Sequence, residues 1–516
     1  MTTSDRKRPA DPLVRADQIQ GHVLPGFGTA YQMLVALRIL RPAGARAWLS
    51  SLVESVTTSS QVLVDRSQGR RDGPWLNVGL SYAGLKTLTA TVPRFADEAF
   101  RAGLARRASL LRDPTDPRDE GHPSHWVVGG PATGIDVLLI VAGSAERAVT
   151  ERASELRRAA EAHGLFLVWS EMGARLGRRR VDASEHFGFR DDIAQPAVRG
   201  FANRPRVPLA ARLVRNGATP DGPELAAPGT PLIWPGSFVF GYPAQNPVDA
   251  RLPGRMVSAG PSWARDGSLL VFRRLRQDVV RFAEFVAVTA RELGMDPEAF
   301  AALLVGRWRS GAPVVRTSPP GMNPPGVDDP QLGSDPDANN DFDFTNVLPE
   351  PEFADGHTAK RYEKARVDPL GLVCPNSAHI RKVNPRAGYT EQGGLEDTLT
   401  RRLLRRGIPY GPRLVDPLAA DDYERRQDRG LHFLCYQTSI VDQFEFVTRH
   451  WLNSPAAPRG GGVDVLVGQG HRSCYLPSLS GVPVTVSTSE RFVIPTGGEY
   501  LFVPSVDGLR ELTAPG

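Results

Sequence analysis

The sequence predicts an α+β protein built from two ferredoxin-like domains, antiparallel sheets with helices packed on them. Two observations in the chain's pattern lead there. The first half reads strand–helix–strand–strand–helix–strand, and the second half repeats that pattern coarsely. The third observation is size: 516 residues, 41% hydrophobic and 23% charged, is ordinary globular composition with room for two large domains.

Each element has its own signal. YQMLVALRIL (Tyr31–Leu40) reads as a buried strand. Ala45, Trp48, Leu49, Leu52 and Val53 then recur at helical spacing behind Pro42, which a helix start tolerates. Trp75–Leu80 is a second strand, followed directly by the segment Tyr82–Leu88. Ile135–Ala142 is the clearest strand of this half. An amphipathic helix follows to Ala162, with Ser144 as its expected N-cap and Gly164 as its stop; Leu165–Ser170 is a fourth strand. In the second half, Ser268–Leu275 gives a strand, and Val279–Gly294 and Phe300–Arg309 give helices. Leu431–Gln437 gives a strand, Ile440–Trp451 a helix and Tyr500–Pro504 a last strand. The domains are expected over 1–215 and 216–516, joined by a Pro-, Gly- and Ala-rich linker near 205–235. A Pro-, Gly-, Asp- and Asn-dense insertion over 311–359 exceeds ordinary loops and reads as a surface insertion or lid.

Composition excludes several functions. Lys+Arg 62 against Asp+Glu 57 leaves +5, a weak field on a chain this long, so no nucleic-acid partner is expected. The run Arg178-Arg179-Arg180 is short, lacks interleaved aromatics and reads as a solvated loop. No stretch approaches the ~20 apolar residues that span a bilayer, and no apolar segment follows the basic start, so no membrane partner and a cytoplasmic location are expected. Cys374, Cys435 and Cys474 are an odd set without a CxxC pair, neither a disulfide framework nor a zinc site. Walker A, HExxH and GxSxG are absent, and Gly468-Gln469-Gly470 lacks the third glycine of a dinucleotide loop. His122 and His125 lack partners at ligand spacing and read as a surface loop.

Three separated segments carry chemistry. EHFGFRDDIAQPAV places Asp191 after a Gly-Phe-Arg turn. CPNSAHIRKVNPR holds His379 between two prolines. RRLLRRGIPYG sets two arginines before Gly-Ile-Pro-Tyr. Singly each has a plain structural reading: a polar core histidine, a turn-capping aspartate, an arginine pair at a helix end. Together they are a kit for one bound metal cofactor: an imidazole to hold iron, a carboxylate to move a proton, a guanidinium to steady negative charge.

Their wording resembles the dye-decolourising peroxidases, a family of haem enzymes, along most of the chain. ADQIQGHVLPGFG, LNVGLSYAGLKTL, HFGFRDDIAQP, GSLLVFRRLRQDV, GRWRSGAP, NNDFDF, CPNSAHIRKVNPR, RRGIPYGP, GLHFLCYQTSIVDQFEFV and PTGGEYLFVPS follow in the family's order, and the length and long insertion fit its larger subgroup. The resemblance implies two ferredoxin-like domains, with one haem b held mainly in the C-terminal one. It implies a peroxidase that reduces hydrogen peroxide and oxidises dyes, phenols or other one-electron donors.

Carried over by position, His379 is the proximal iron ligand, Asp191 the distal carboxylate and Arg405, with Arg406 as the alternative register, the distal arginine. Asp442 or Glu445 is the carboxylate expected behind His379. Arg381, Lys382 and Arg386 are candidates for the haem propionates. One position departs: Asp192 stands where the family's GxxDG carries its last glycine. Aspartate tolerates left-handed backbone, so the turn is expected to survive, with the Asp192 carboxylate turned to solvent. The departure keeps two other readings open, a specialised haem oxidase or oxygenase of secondary metabolism and a haem-binding protein with little turnover. Cys374-Pro375 could offer a thiolate, but its place inside the histidine motif makes Cys374 a packing residue.

Overall fold

The structure is a computed structural model describing residues 14–70, 73–89, 92–177, 183–201, 218–219, 222–223, 227–318, 325–345, 362–457, 459–476 and 483–514. Eight strands matter most: β1 (Tyr31–Ile39), β2 (Trp75–Ser81), β3 (Val137–Gly143), β4 (Leu165–Ala174), β5 (Ser268–Gln277), β6 (Ile408–Tyr410), β7 (Gly430–Gln437) and β8 (Val493–Val503). Within the first half they run β2-β3-β1-β4, and within the second β8-β5-β7-β6, the same order twice. Leu501 and Phe502 of β8 pair with Ser81 and Leu80 of β2, and Tyr410 of β6 pairs with Gly173 of β4. The two four-stranded sheets therefore join at both seams into one barrel.

Side chains alternate across each strand, and the alternation sorts three layers. Leu34 and Ala36, Leu138 and Ile140, Leu270 and Phe272, Leu434 and Tyr436, and Leu501 and Val503 form the barrel's interior core. On the outer face of the first half, Val35, Leu37 and Ile39 pack directly against α1 (Pro42–Leu52) and α2 (Glu146–Ala162) through Trp48, Leu49, Val149, Ala153 and Leu156. The second half differs. Its helices α3 (Val279–Glu292) and α4 (Pro297–Val305) belong to a separate core with Cys374, Val465, Leu476 and Phe492. The outward residues Arg273, Leu275, Leu431 and Phe433 face a cavity instead.

Most element boundaries agree with the sequence pattern, and the differences have causes. α2 starts at Glu146 after Ala145, with no side-chain cap, so Ser144 is not its N-cap. α4 starts at Pro297, three residues earlier than the pattern suggested, capped by Asp296, and it ends against Gly306 with φ +90°. The Ile440–Trp451 helix is two π-helical stretches, Ile440–Glu445 and Val447–Leu452. Strand β6 has no sequence signal because its three residues centre on Pro409.

The predicted 205–235 linker and the 215/216 boundary, the triple-arginine run and residues 319–324 and 346–359 of the insertion lie wholly or largely outside the described residues. The described part of the insertion is not a solvated lid. Val315, Phe342 and Phe344 are buried, and its backbone carbonyls brace Arg307, Arg316 and Arg386.

Candidate active site

A cavity of about 610 Å³ lies between the outer face of β5 and β7 and the second-half helical layer. His379, Asp191 and Arg405 all line it. So does Arg386, whereas Arg381 does not.

His379 opens a five-residue helical turn, α5 (His379–Val383). Its Nδ1 donates to Asp464 Oδ2 at 2.7 Å, leaving Nε2 as the ring nitrogen for the cavity. Asp464 is fully buried, and its other oxygen accepts the backbone N–H of Leu466 and Val467 at 2.9 and 3.0 Å. The carboxylate is thus held by three donors and fixes the imidazole's tautomer and tilt.

Neither sequence candidate occupies this place. Glu445 is buried against Arg107, both contacts 2.6 Å, and accepts from the Tyr500 hydroxyl. Asp442 is exposed in the first turn of its helical stretch, its N–H donating to the N-cap Ser439 Oγ and its carboxylate accepting from that hydroxyl.

The distal wall is the loop 185–195. Glu185 organises it: its carboxylate accepts the backbone N–H of Phe187 and Phe189 and an amide from Gln277 at the end of β5. Burial raises the Glu185 pKa. Arg190 ties the loop to Gly333 O of the insertion. Asp191 and Asp192 are both accessible and border the cavity.

Asp192 sits at φ +60°, the left-handed conformation expected at this position. Its N–H donates to Asp191 Oδ1 at 2.6 Å. Its own carboxylate accepts from Gln195 Nε2. Arg405, in a two-residue strand paired with Cys435, donates its Nη2 to Ala194 O at 2.8 Å. Arg406 instead spends its guanidinium on the carbonyls of His22, Val23 and Arg405.

Two of the three propionate candidates are corrected. Arg381 is 3% exposed, pairs with Asp368 at 3.0 Å and stacks over Phe344, so it is a core brace. Lys382 is fully buried and donates to the carbonyls of Ser454, Ala457 and Gly462; burial pushes it down to about 8. Arg386 does face the cavity, stacked over Phe342 and held by Asn340 and Phe342. Two arginines without a sequence motif join it. Arg307 is gripped by Gly311 O, Asn339 O and Asn340 Oδ1, and Arg402 lines the same wall.

Burial, with neighbouring guanidiniums adding to it at Arg307 and Arg402, lowers all three, Arg307 and Arg402 to about 9 and Arg386 to about 10. None of the three, nor Arg405, pairs with a carboxylate among the described residues. Cys374 packs in the core away from the cavity, its thiol pushed to about 12 by burial, as expected of a packing residue. His122 and His125 form an exposed turn, and no metal-ligating cluster of His, Cys, Asp or Glu occurs among the described residues.

The donor set fits a haem. A largely apolar space bounded by Leu275, Val305, Ile380 and Phe433 suits a porphyrin, and His379 Nε2 suits its iron. Clustered cations without carboxylate partners would be costly unless an anionic guest such as a pair of propionates neutralised them.

A closed α+β barrel carrying a histidine–carboxylate pair and, in the same cavity, a carboxylate and a guanidinium defines a peroxidase of the α+β-barrel kind. The family model for the dimeric α+β barrel domain of these enzymes matches residues 18–178. A dye-decolourising peroxidase of Mycetinis scorodonius is 30% identical over 513 residues, 95% of this chain and 86% of that protein. The multifunctional dye peroxidase of Amycolatopsis is 29% identical over 99% of this chain and 98% of its own. Among solved structures, an ancestral D-type dye-decolourising peroxidase superposes with TM-score 0.76 at 30% identity, covering 98% of this chain and all of its own, 100%. A dye-decolourising peroxidase complexed with 2,6-dimethoxyphenol superposes with TM-score 0.74 at 26% identity, covering 97% and 100%. The chain belongs to the dye-decolourising peroxidase family. It is a haem-dependent type of peroxidase.

Proposed function

We propose that this chain holds one haem b between His379 and Asp191 and uses it to reduce hydrogen peroxide while oxidising small aromatic donors one electron at a time. One observation carries the reading: His379, its Nδ1 held by the buried Asp464, shares a single cavity with Asp191 and Arg405, and that cavity also gathers Arg307, Arg386 and Arg402.

When bound, haem supplies the redox centre that accepts two oxidising equivalents from peroxide. The chain's residues do the rest. Nε2 of His379 would hold the iron, and Asp464 fixes the imidazole's tautomer and orientation through Nδ1. Arg307, Arg386 and Arg402 orient the porphyrin by neutralising its propionates. With haem bound, the Asp191 carboxylate would accept a proton from peroxide and return it to the oxygen that leaves as water, the haem supplying the two electrons. Arg405 holds the negative charge that develops as the O–O bond breaks. The apolar walls exclude bulk water from that charge separation.

The three buried thiols, free of disulfides, support an intracellular setting. Reconstitution with haem b is the test: it should give one Soret-absorbing cofactor per chain and peroxide-dependent oxidation of 2,6-dimethoxyphenol, both lost in His379→Ala. Retention of stoichiometric haem and turnover by His379→Ala would refute the assignment.

A further inference from the structure

The distal loop contains a chain of contacts that the proton transfer does not use. Asp192 stands where the family's motif has glycine, and it borders the cavity beside Asp191. Its Oδ1 accepts from Gln195 Nε2 at 3.2 Å. The other end of that same amide, Gln195 Oε1, accepts the backbone N–H of Arg405 at 3.1 Å. One residue earlier, Ala194 O takes the Arg405 guanidinium. Residues 192–195 therefore grip Arg405 twice, by its backbone and by its side chain, and Asp192 fixes which way the Gln195 amide faces. An amide has a donor end and an acceptor end. With Asp192 accepting at the donor end, the acceptor end must point at Arg405 N. Without it, the Gln195 side chain has one anchor instead of two.

We propose that Asp192 is a positioning residue for Arg405, acting through the Gln195 side chain, and that its hydrogen-bond acceptor rather than its charge is what the site uses. The proposal rests on the reading of Arg405 as the cavity's anion-stabilising cation. It accounts for why a second carboxylate is tolerated next to Asp191: it is engaged by an amide, at a backbone conformation aspartate can hold.

The experiment measures fluoride affinity of the ferric holoprotein by optical titration across pH, because a small anion in the cavity reports on guanidinium donors without requiring turnover. Asp192→Gly removes the acceptor with no backbone strain, since glycine adopts φ +60° freely. Asp192→Gly and Gln195→Ala should each weaken fluoride by about three- to tenfold, the effect of one lost hydrogen bond. The double variant should be no weaker than either single one. Asp192→Asn keeps an acceptor oxygen and should stay within about twofold of the parent across the pH series.

An Asp192→Asn variant that matches Asp192→Gly would overturn the proposal in favour of a charge effect. Additive losses in the double variant, or an unchanged Asp192→Gly, would overturn it outright. Arg405→Leu separates the two readings. If it leaves fluoride affinity unchanged, the assignment of Arg405 itself fails. If it weakens fluoride while Asp192→Gly and Gln195→Ala do not, only the positioning chain fails. Urea midpoints of each variant, expected to stay near the parent's, show that the comparison is between folded proteins.

Discussion

Replacing Asp464 by asparagine distinguishes a carboxylate that builds the fold from one that prepares a ligand. The aspartate accepts three hydrogen bonds while fully buried: His379 Nδ1 at 2.7 Å, Leu466 N at 2.9 Å and Val467 N at 3.0 Å. Asparagine keeps its oxygen on the two backbone amides. The flipped amide is worse, because it sets an NH2 group against both of them. The NH2 group then faces His379 Nδ1, donor against donor. In the empty protein the imidazole escapes by moving its proton to Nε2, which restores a neutral hydrogen bond, so the apoprotein should lose no more than about 1 kcal/mol. That tautomer has no lone pair for the cavity. Binding iron forces the proton back to Nδ1 and forfeits a charge-assisted bond of about 1.5–3 kcal/mol. Haem affinity should therefore fall about 10–100-fold. Apoprotein urea midpoints and Soret titrations measure the two quantities separately. A variant that binds haem within about twofold of the parent would refute the reasoning, as would one that simply unfolds.

Three further outcomes follow from the same geometry. Glu445→Ala leaves Arg107 only its 3.4 Å contact with Glu98 and leaves the buried Tyr500 hydroxyl without its acceptor, so it should cost about 1–3 kcal/mol of stability in urea while leaving the proximal imidazole's spectrum unchanged once haem is bound. Arg386→Met should weaken haem uptake in a Soret titration with little change in apoprotein stability, whereas Arg381→Met, which leaves Asp368 buried and unpaired, should show the reverse. His22 and His186 are held neutral by burial, lowered to about 3 and about 4, against about 6.5 in the unfolded chain. The unfolded state then binds more protons, so their contribution is intact above pH ~6.5 and is lost as the pH falls toward those values. Each costs about 1.4 kcal/mol per pH unit in that window. His22→Asn should remove one such increment from the slope of stability against pH between ~6.5 and ~4.5, and an unchanged slope would contradict the neutral-histidine reading.

How much of this was legible in the sequence depends on which force set each feature. Period-two and helical spacing located seven of the eight barrel strands because burial on one face writes itself into the pattern. Strand β6 escaped because its pairing depends on β4 and β7 rather than on its own Ile-Pro-Tyr. The cavity residues His379, Asp191 and Arg405 came from local motifs, and the structure gathers them in one cavity. Asp464 did not, since it lies 85 residues from its partner and its only local trace is an acidic residue inside the apolar run GVDVLVG. That trace was usable: a carboxylate flanked by valines on both sides is a candidate for burial and so needs a specific partner. Arg381 misled for the opposite reason. It sits two residues from His379, but on a helical turn that spacing points the two side chains to different sides.

The same turn shows why the second half, and not the first, can house a cofactor. In the first half α1 and α2 lie directly on the sheet, and Trp48 and Leu156 fill the space between. In the second half the corresponding layer is held off the sheet by its own core, and the side chains left facing the gap on β5 are Arg273 and Leu275 rather than a continuous apolar stripe. Arg273 is neutralised by Asp113 at 2.7 Å, so that side of the gap carries no free charge. Arg307, Arg386, Arg402 and Arg405 form no such ion pair among the described carboxylates, so a cluster of guanidiniums lines the gap that Asp191 and Asp192 also border. Filling it with apolar side chains would strand those guanidiniums, and collapsing it would bring like charges together. An anionic, flat, iron-bearing guest relieves both costs at once. Cofactor binding and completion of the second-half fold are therefore coupled, and the haem-bound chain should resist urea better than the empty one by an amount that grows with the concentration of free haem.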